Sequence, residues 1–147
     1  MSFTFIEKLL IPAETKKIGR RAFFGCTNLL CVEGMEGVEE SGGDVFTNTK
    51  IVLSEENGYC IGGVVFGGKV QDGTLTLPGN ARTIADNAFF CRDKIVKLEM
   101  PEGLENIGRS SFRDCFNLKE LRFPASLKRL GGRAFYGCTD LVGVSFG

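Results

Sequence analysis

The chain has 147 residues, of which 43% are hydrophobic and 24% are charged, and its 18 basic residues balance its 18 acidic residues. This composition is typical of a folded single-domain protein and excludes an intrinsically disordered chain. The balanced charge argues against nucleic-acid binding and against electrostatic attachment to a membrane, since both need an excess of basic residues.

The N-terminal residues 1–14 lack the basic region, apolar run and small-residue cleavage site of a secretory signal. No stretch contains the roughly 20 consecutive apolar residues of a membrane-spanning helix. We therefore expect a cytoplasmic location for the chain as written. If it is a fragment of a longer surface protein, we expect a cell-surface or secreted location.

The first predicted element is a coil that begins with the apolar residues 9–11, turns at Pro12 and continues through Ile18, Phe23 and Cys26. Its central stretch, IGRRAFFGCTNL at residues 18–29, returns in altered form along the chain. Repeats with a period of about 20 to 29 residues predict a solenoid of short coils. Each coil has room for one short strand, and stacking these strands about 4.8 Å apart builds a parallel sheet with right-handed connections.

The second predicted coil is a degenerate copy of the first. Its inward positions hold Val38, Ser41, Val45 and Phe46, and Thr49 stands where the first coil has a cysteine. A hydroxyl in an inward position costs free energy unless it is hydrogen-bonded. We therefore expect this coil to be locally weaker unless Ser41 finds a backbone partner.

The stretch around the second coil is strongly acidic. Between residues 32 and 60, Lys50 is the one basic residue. Two interpretations stay open: solvated outer loops, or a polarised surface that orients a charged partner. The seven acidic residues are Glu33, Glu36, Glu39, Glu40, Asp44, Glu55 and Glu56.

An insertion separates the second and third coils. Phe46 and Phe89 are 43 residues apart, which is 20 more than one repeat. The extra length, about residues 54–78, contains β-rich runs at 59–61, 64–66 and 74–77, separated by Gly62-Gly63, by Gly67-Gly68 and by Asp72-Gly73. This pattern predicts a small β-meander whose last strand re-enters the main sheet.

Residues 63–70, GVVFGGKV, fit the spacing G-x-x-x-x-G-K of a phosphate-binding loop. That mechanism needs a serine or threonine after the lysine, and a helix whose N-terminus faces the phosphates. Val70 follows Lys69, and turn-forming residues come next. The stretch therefore predicts a hairpin turn.

The last three coils are regular. Phe89, Phe112 and Phe135 are spaced by 23 residues, and we expect their rings to form a column inside the solenoid. Pro78, Pro101 and Pro124 keep the same step, and each ends a predicted strand because proline lacks the backbone donor. We predict one domain over residues 1–147 with five repeats and the inserted meander.

The pattern L-x-F-P-x-x-L-x-x-L-G-x-x-A-F-x-x-C-x-x-L, from Leu121 to Leu141, resembles the BspA-like (Treponema pallidum type) leucine-rich repeats. The resemblance covers nearly the whole chain, and the inserted meander resembles one that such proteins carry. It implies a leucine-rich-repeat solenoid. It also implies protein binding, either in adhesion or in contact with host proteins.

Six cysteines raise the question of disulfides or metal. Cys26, Cys91, Cys115 and Cys138 follow the recurring phenylalanine by two or three residues, so we expect a ladder of buried free thiols. The spacing of neighbouring coils does not exclude a Cys115–Cys138 disulfide. Cys31 and Cys60 lie outside this position, and we expect them to be exposed.

The sequence favours neither a metal site nor catalysis. It has no histidine and no C-x2-C pair for zinc, and the usual general base for a serine or cysteine nucleophile is missing. Ser110-Ser111 falls in a position that alanine fills in other copies, which favours packing. The carboxylate pairs Glu39-Glu40 and Glu55-Glu56 are expected on outer loops. We predict no cofactor and no enzyme activity.

Because the inward positions are used for packing, the candidate binding surface is the outward face of the sheet. We expect it to bind a protein or peptide, with Glu99 facing Arg122 and Lys97 facing Glu120 across strands. The alternative is a structural spacer that assembles end to end, since no polar capping repeat is visible; an enzyme is the third reading. The predicted binding residues are Thr74, Thr76, Lys97, Glu99, Lys119, Glu120, Arg122 and Ser145.

Overall fold

The computed structural model describes residues 5–51 and 60–147, most of which are strands and turns. The described residues include a 3-10 turn, η1, at Met35–Gly37. The strands are β1 Lys8–Leu10, β2 Lys17–Ile18, β3 Cys31–Glu33, β4 Glu40–Ser41, β5 Cys60–Ile61, β6 Val64–Val65, β7 Val70–Gln71, β8 Thr74–Thr76, β9 Thr83–Ile84, β10 Lys97–Glu99, β11 Asn106–Ile107, β12 Glu120–Phe123, β13 Arg129–Leu130 and β14 Gly143–Phe146.

Each regular coil contributes two strands, one to each of two sheets. The first sheet has the order β14-β12-β10-β8-β7, and the second has the order β13-β11-β9-β6-β5. The first two coils form two separate pairs, β1 with β3 and β2 with β4, both parallel. The predicted solenoid with a parallel sheet is confirmed. The second sheet was not predicted, because its regular strands are two residues long and show no alternation.

The core is built on the recurring phenylalanines, as predicted. The ring centroids of Phe89 and Phe112 lie 5.0 Å apart, and those of Phe112 and Phe135 lie 5.1 Å apart, with nearly parallel planes. Phe23 and Phe46 stack in the same way at 5.7 Å. One ring per coil therefore fills the interior, and stacking adds about 0.5 to 1.5 kcal/mol per pair beyond the area that it buries.

The inserted segment interrupts this column and carries two antiparallel hairpins. Strands β5 and β6 pair across Gly62-Gly63, and β7 and β8 pair across Asp72-Gly73; all four turn residues have positive φ. Gly67-Gly68 connects β6 to β7, which lie in different sheets, so the predicted hairpin turn at residues 63–70 is wrong. The predicted start of the meander, at 54–59, lies outside the described residues.

The insertion also separates the molecule into two arms, residues 5–51 (the first arm) and 60–147 (the second arm). Strand β6 pairs with β9 on the side away from β11, where the next regular strand of the solenoid would lie. Strand β4 therefore cannot join the second sheet. The buried residues form two clusters, and the one around Phe46 also contains Val64 and Ala85 of the second arm, so apolar packing joins the two arms.

The first arm folds back onto the outward face of the second sheet. Thr83 and Asn106 alternate with the inward isoleucines, yet they are only 1% and 7% exposed. The Thr83 hydroxyl donates to the Val38 carbonyl at 3.1 Å, and the Asn106 amide donates to Thr83 Oγ1 at 3.1 Å. The backbone N–H of Asp86 donates to Ser41 at 2.8 Å. These bonds fix a sharp bend in the solenoid.

Each regular coil turns through two residues in the left-handed region, which only glycine adopts without strain. Both positions repeat every 23 residues within each arm. The first position holds Arg21, Asp44, Asn87, Ser110 and Arg133. The second position holds Gly25, Asn48, Cys91, Asp114 and Gly137.

This second turn position corrects the predicted thiol ladder. Cys26 and Cys115 are buried and Cys138 is partly buried, whereas Cys91 is exposed. Cys91 follows its phenylalanine by two residues, not three, so it occupies the left-handed position and Arg92 takes the ladder position. Of the two cysteines expected to be exposed, Cys31 is exposed and Cys60 is partly buried.

The second coil is also better satisfied than its sequence suggests. Ser41 is 3% exposed, and its hydroxyl donates to the carbonyl of Gly42 at 3.3 Å. Thr49 fills the cysteine position, and its hydroxyl donates to the Phe46 carbonyl at 2.7 Å. Both polar groups thus find the backbone partners that their inward positions require.

Candidate interaction surfaces

The predicted binding residues lie together on the outward side of the first sheet, which is called the sheet face below. Lys97 lies between Thr74 and Glu120 on neighbouring strands. Arg122 is opposite Ser145, and Glu99 is opposite Thr76. Lys119 directly precedes β12 and is exposed. The alternation of each strand places these polar side chains outward while Leu75, Leu98 and Leu121 face the core.

The charges on the sheet face pair differently from the prediction. Lys97 Nζ lies 2.8 Å from Glu99 Oε1 on its own strand, and Thr76 Oγ1 donates to Glu99 Oε2 at 2.9 Å. The hydrogen bond from Lys97 lowers the pKa of the Glu99 carboxyl, and the hydrogen bond from Thr76 lowers it by a smaller amount. The predicted pairs, Glu99 with Arg122 and Lys97 with Glu120, are not formed.

Other charges on the sheet face remain uncommitted. Among residues 5–51 and 60–147, Arg122, Glu120 and Lys119 have no ion-pair or hydrogen-bond partner for their side chains. Arg122 lines a shallow hollow of about 240 Å³ beside Glu99 and Glu102. Both signs of charge are therefore presented side by side on rigid strands.

A second surface, the cleft between the two arms, was missed by the sequence analysis. It has a volume of about 440 Å³, which is within the range of ligand sites in proteins. The first arm contributes β2, β4 and the residues around them, and the second arm contributes β9, β11 and β13. Its charged lining residues are Lys17, Arg20, Glu39, Glu40, Asp86, Arg109 and Arg129.

Ion pairs within the lining of the cleft connect the two arms. Arg129 Nη2 lies 3.1 Å from Glu39 Oε2, and Arg129 Nη1 lies 3.4 Å from Glu40 Oε1. Lys17 Nζ lies 2.9 Å from Glu40 Oε2, and its hydrogen bond is the main reason that the pKa of Glu40 is lowered. The prediction that Glu39-Glu40 lies on an outer loop is therefore wrong. The pair joins the two arms.

The sequence does carry a signal for this surface. The polar residues that precede the inward apolar residue repeat every 23 positions: Lys17 and Glu40 in the first arm, then Thr83, Asn106 and Arg129 in the second. A polar row at the repeat period indicates a shared face. It was not recognised because no strand was predicted there.

Reactive chemistry finds little support in the part of the chain that the structure describes. Within it, no group of three or more histidine, cysteine, aspartate or glutamate residues is placed to hold a metal ion. Burial raises the pKa of the Cys115 thiol to about 11, and that thiol donates to the Phe89 carbonyl at 3.2 Å. A thiol held neutral in this way is a poor nucleophile. No helix among the described residues is long and apolar enough to cross a membrane.

A model of a known protein family matches nearly the whole chain. The model for the BspA type leucine rich repeat region matches residues 2–59 and 49–147 with six copies. This is one copy more than predicted from the phenylalanine spacing, and β14 is the first-sheet strand of a further coil. The comparison with curated proteins gives no match.

Solved structures of other proteins resemble the chain over most of its length. The pneumococcal vaccine antigen PcpA is 17% identical with a TM-score of 0.53, over 97% of this chain and 51% of that one. A leucine rich repeat protein of T. pallidum is 25% identical with a TM-score of 0.49, over 98% and 61%. A leucine rich cell surface protein of Faecalibacterium prausnitzii is 20% identical with a TM-score of 0.47, over 95% and 48%. The chain thus spans about half to three fifths of their lengths.

Proposed function

Because the chain belongs to the BspA-type leucine-rich repeat family, we propose that it is a non-catalytic interaction module that binds a protein or peptide on the sheet face. The partner contact is of the adhesive kind that the family resemblance implies. The observation that carries the proposal is the row of outward charges on β10 and β12, of which Arg122 and Glu120 have no described partner.

The rigidity of this surface supports the proposal. The outward side chains stand on strands that are hydrogen-bonded on both sides and packed over Leu98 and Leu121, which are buried. A partner therefore meets a surface that is already ordered, so little conformational entropy is lost when it binds. Neighbouring positive and negative groups favour a partner with the complementary order of charges and reject others.

A peptide-display experiment tests this function. A library of displayed peptides is selected on the immobilised chain, and bound clones are compared on the variants Arg122→Glu and Glu120→Lys. We expect both variants to lose most of the selected clones, since each reverses an uncommitted charge. Lys94→Glu, on an exposed turn residue outside the sheet face that has no ion pair among the described residues, is the matched control. Equal retention by all the proteins would contradict the proposal.

A second candidate function, end-to-end assembly as a structural spacer, has its own observation. Strand β14 is the last strand of the first sheet, and Val144 and Phe146 on it are 51% and 78% exposed. Light scattering at two protein concentrations tests this candidate. Growth in mass with concentration that Phe146→Ser abolishes would support it, and a constant monomer mass would contradict it.

A further inference from the structure

We propose that the cleft between the two arms is a second binding site, which receives a carboxylate side chain of an extended acidic peptide. This inference does not depend on the sheet face. The two surfaces have different lining residues, because the sheet face belongs to the first sheet and the cleft to the second sheet and to β2 and β4. Nothing in the family resemblance points to this site.

The two arms each contribute an arginine to the cleft. Arg20 comes from the first arm and Arg109 from the second, and each follows the glycine that ends a strand of the lining. The Arg109 guanidinium has no partner among the described residues. Arg20 has only a long contact, 4.0 Å from Nη2 to Asp44 Oδ2. Both groups are therefore available to a carboxylate, which arginine binds through two parallel hydrogen bonds.

The acidic residues of the cleft are already occupied. Glu39 and Glu40 pair with Arg129, and further with Lys16 and Lys17. Asp86 Oδ1 accepts the backbone N–H of Arg109 at 2.8 Å, which holds the loop that carries this arginine. The lining has four basic residues against three acidic residues, so its formal charge is +1. A bound anion would neutralise this excess positive charge.

The rest of the lining suits a peptide. Small residues line much of it, and four of them are the glycines Gly19, Gly42, Gly108 and Gly131. The peptide backbone would pass over these glycines, next to the two arginines.

Fluorescence polarisation with defined peptides tests the proposal. The probes are a labelled peptide that contains one glutamate between glycines, the same peptide with glutamine, and unlabelled glutarate as competitor. We expect saturable binding of the glutamate peptide, and binding about 10-fold weaker for the glutamine peptide, since hydrogen bonds between charged groups are lost. Affinity should fall as salt is raised, because the site is open to solvent.

Variants assign the binding to the cleft. Arg109→Ala and Arg20→Ala should each weaken the glutamate peptide by about 5- to 10-fold, and both residues are exposed, so the fold should persist by circular dichroism. Lys94→Ala, on an exposed residue outside both surfaces, is the control and should bind as the wild type does, and Arg122→Ala reports any binding to the sheet face. Absence of saturable binding, equal binding by the Arg109 variant, loss confined to Arg122→Ala, or glutarate as strong as the peptide would each overturn the proposal. Failure here leaves the sheet-face result unaffected.

Discussion

At the scale of single residues, the Ser111 hydroxyl is a buried polar group in the core that is left without a hydrogen bond within the described part of the chain. Ser111 is 0% exposed, and its Oγ has no hydrogen-bond partner among the described residues. The equivalent position holds Ala22, Ala88 and Ala134 in other coils. Burying a hydroxyl without a partner costs about 1 to 3 kcal/mol in proteins.

We expect Ser111→Ala to raise the free energy of unfolding by about 1 kcal/mol, because it removes the unpaired hydroxyl and leaves the methylene in place. Urea denaturation measures the change. Ser126→Ala is the matched control, since the Ser126 hydroxyl donates to the Leu104 carbonyl at 2.6 Å. The control should lower the free energy of unfolding by about 0.5 to 1.5 kcal/mol. A loss of stability in both variants would show that Ser111 has a partner.

Residue identity predicted the core better than the turns. The recurring phenylalanines point inward as expected, because one large apolar side chain per repeat has no other place to be buried. Cys91 was misassigned, because a shift of one residue along a turn separates a buried thiol position from a left-handed one. Sequence spacing fixes such positions only when the turn geometry is known.

At the scale of elements, coil stacking depends on glycines next to the strands of the second sheet. A Cβ on Gly131 would lie 2.5 Å from the backbone nitrogen of Arg109 in the preceding coil, and one on Gly108 would lie 2.6 Å from the Ile84 carbonyl oxygen. Gly19 has the same position in the first coil but no neighbour within 4 Å. Close backbone approach, and not a special φ, is the reason for glycine here.

This difference gives a matched pair of variants. We expect Gly131→Ala to lower the free energy of unfolding by about 1 to 3 kcal/mol, because the added methyl group pushes two coils apart. Gly19→Ala should leave it unchanged or raise it by up to about 1 kcal/mol, through the lower entropy of the unfolded chain. Thermal unfolding followed by circular dichroism compares the two. Equal thermal unfolding midpoints would mean that the methyl group added at Gly131 does not destabilise the stacking of the coils.

The first sheet could be predicted because its strands alternate between core leucines and outward charges over three or four residues. The second sheet could not, since a strand of two residues has no period to detect. The sheet face was therefore found from the sequence, and the cleft was not. The ion pairing on the sheet face was not predicted correctly, because Lys97 reaches a partner on its own strand as easily as one across the sheet.

At the scale of the whole molecule, apolar packing, ion pairs and hydrogen bonds join the arms. Val64 and Ala85 of the second arm are buried in the cluster around Phe46. The ion pairs of Arg129 with Glu39 and Glu40 are exposed, and such pairs contribute about 0 to 1 kcal/mol each. The hydrogen bond from Thr83 to the Val38 carbonyl is buried, so losing it leaves polar groups unpaired at about 1 to 3 kcal/mol. Among the polar contacts, this buried hydrogen bond should therefore contribute most to the bend.

We expect Thr83→Val, which keeps the size of the side chain, to lower the free energy of unfolding by about 1 to 3 kcal/mol. Arg129→Ala should lower it by less than about 1 kcal/mol. Urea denaturation gives both values, and small-angle X-ray scattering reports whether the radius of gyration increases as the arms separate. If Arg129→Ala lowers the free energy of unfolding more than Thr83→Val does, the ion pairs stabilise the bend more than the buried hydrogen bond, and our ranking of the two is wrong.

The bend itself could not be predicted from the repeats. A regular 23-residue pattern indicates a straight stack, and the direction of the chain after the insertion depends on which strand takes the place beside β9. That choice between β4 and β6 is made by tertiary packing, which the local sequence does not encode. The insertion could be located by its length, but its effect on the path of the chain could not.

The fold-back has a mechanical consequence. Tension applied between the two ends would load the contacts between the arms, which are the apolar cluster around Phe46 and the hydrogen bonds from Thr83 and Asp86. Within each arm, neighbouring coils are held by ladders of backbone hydrogen bonds. If the contacts between the arms yield before these ladders, the chain lengthens at one hinge without the loss of a coil.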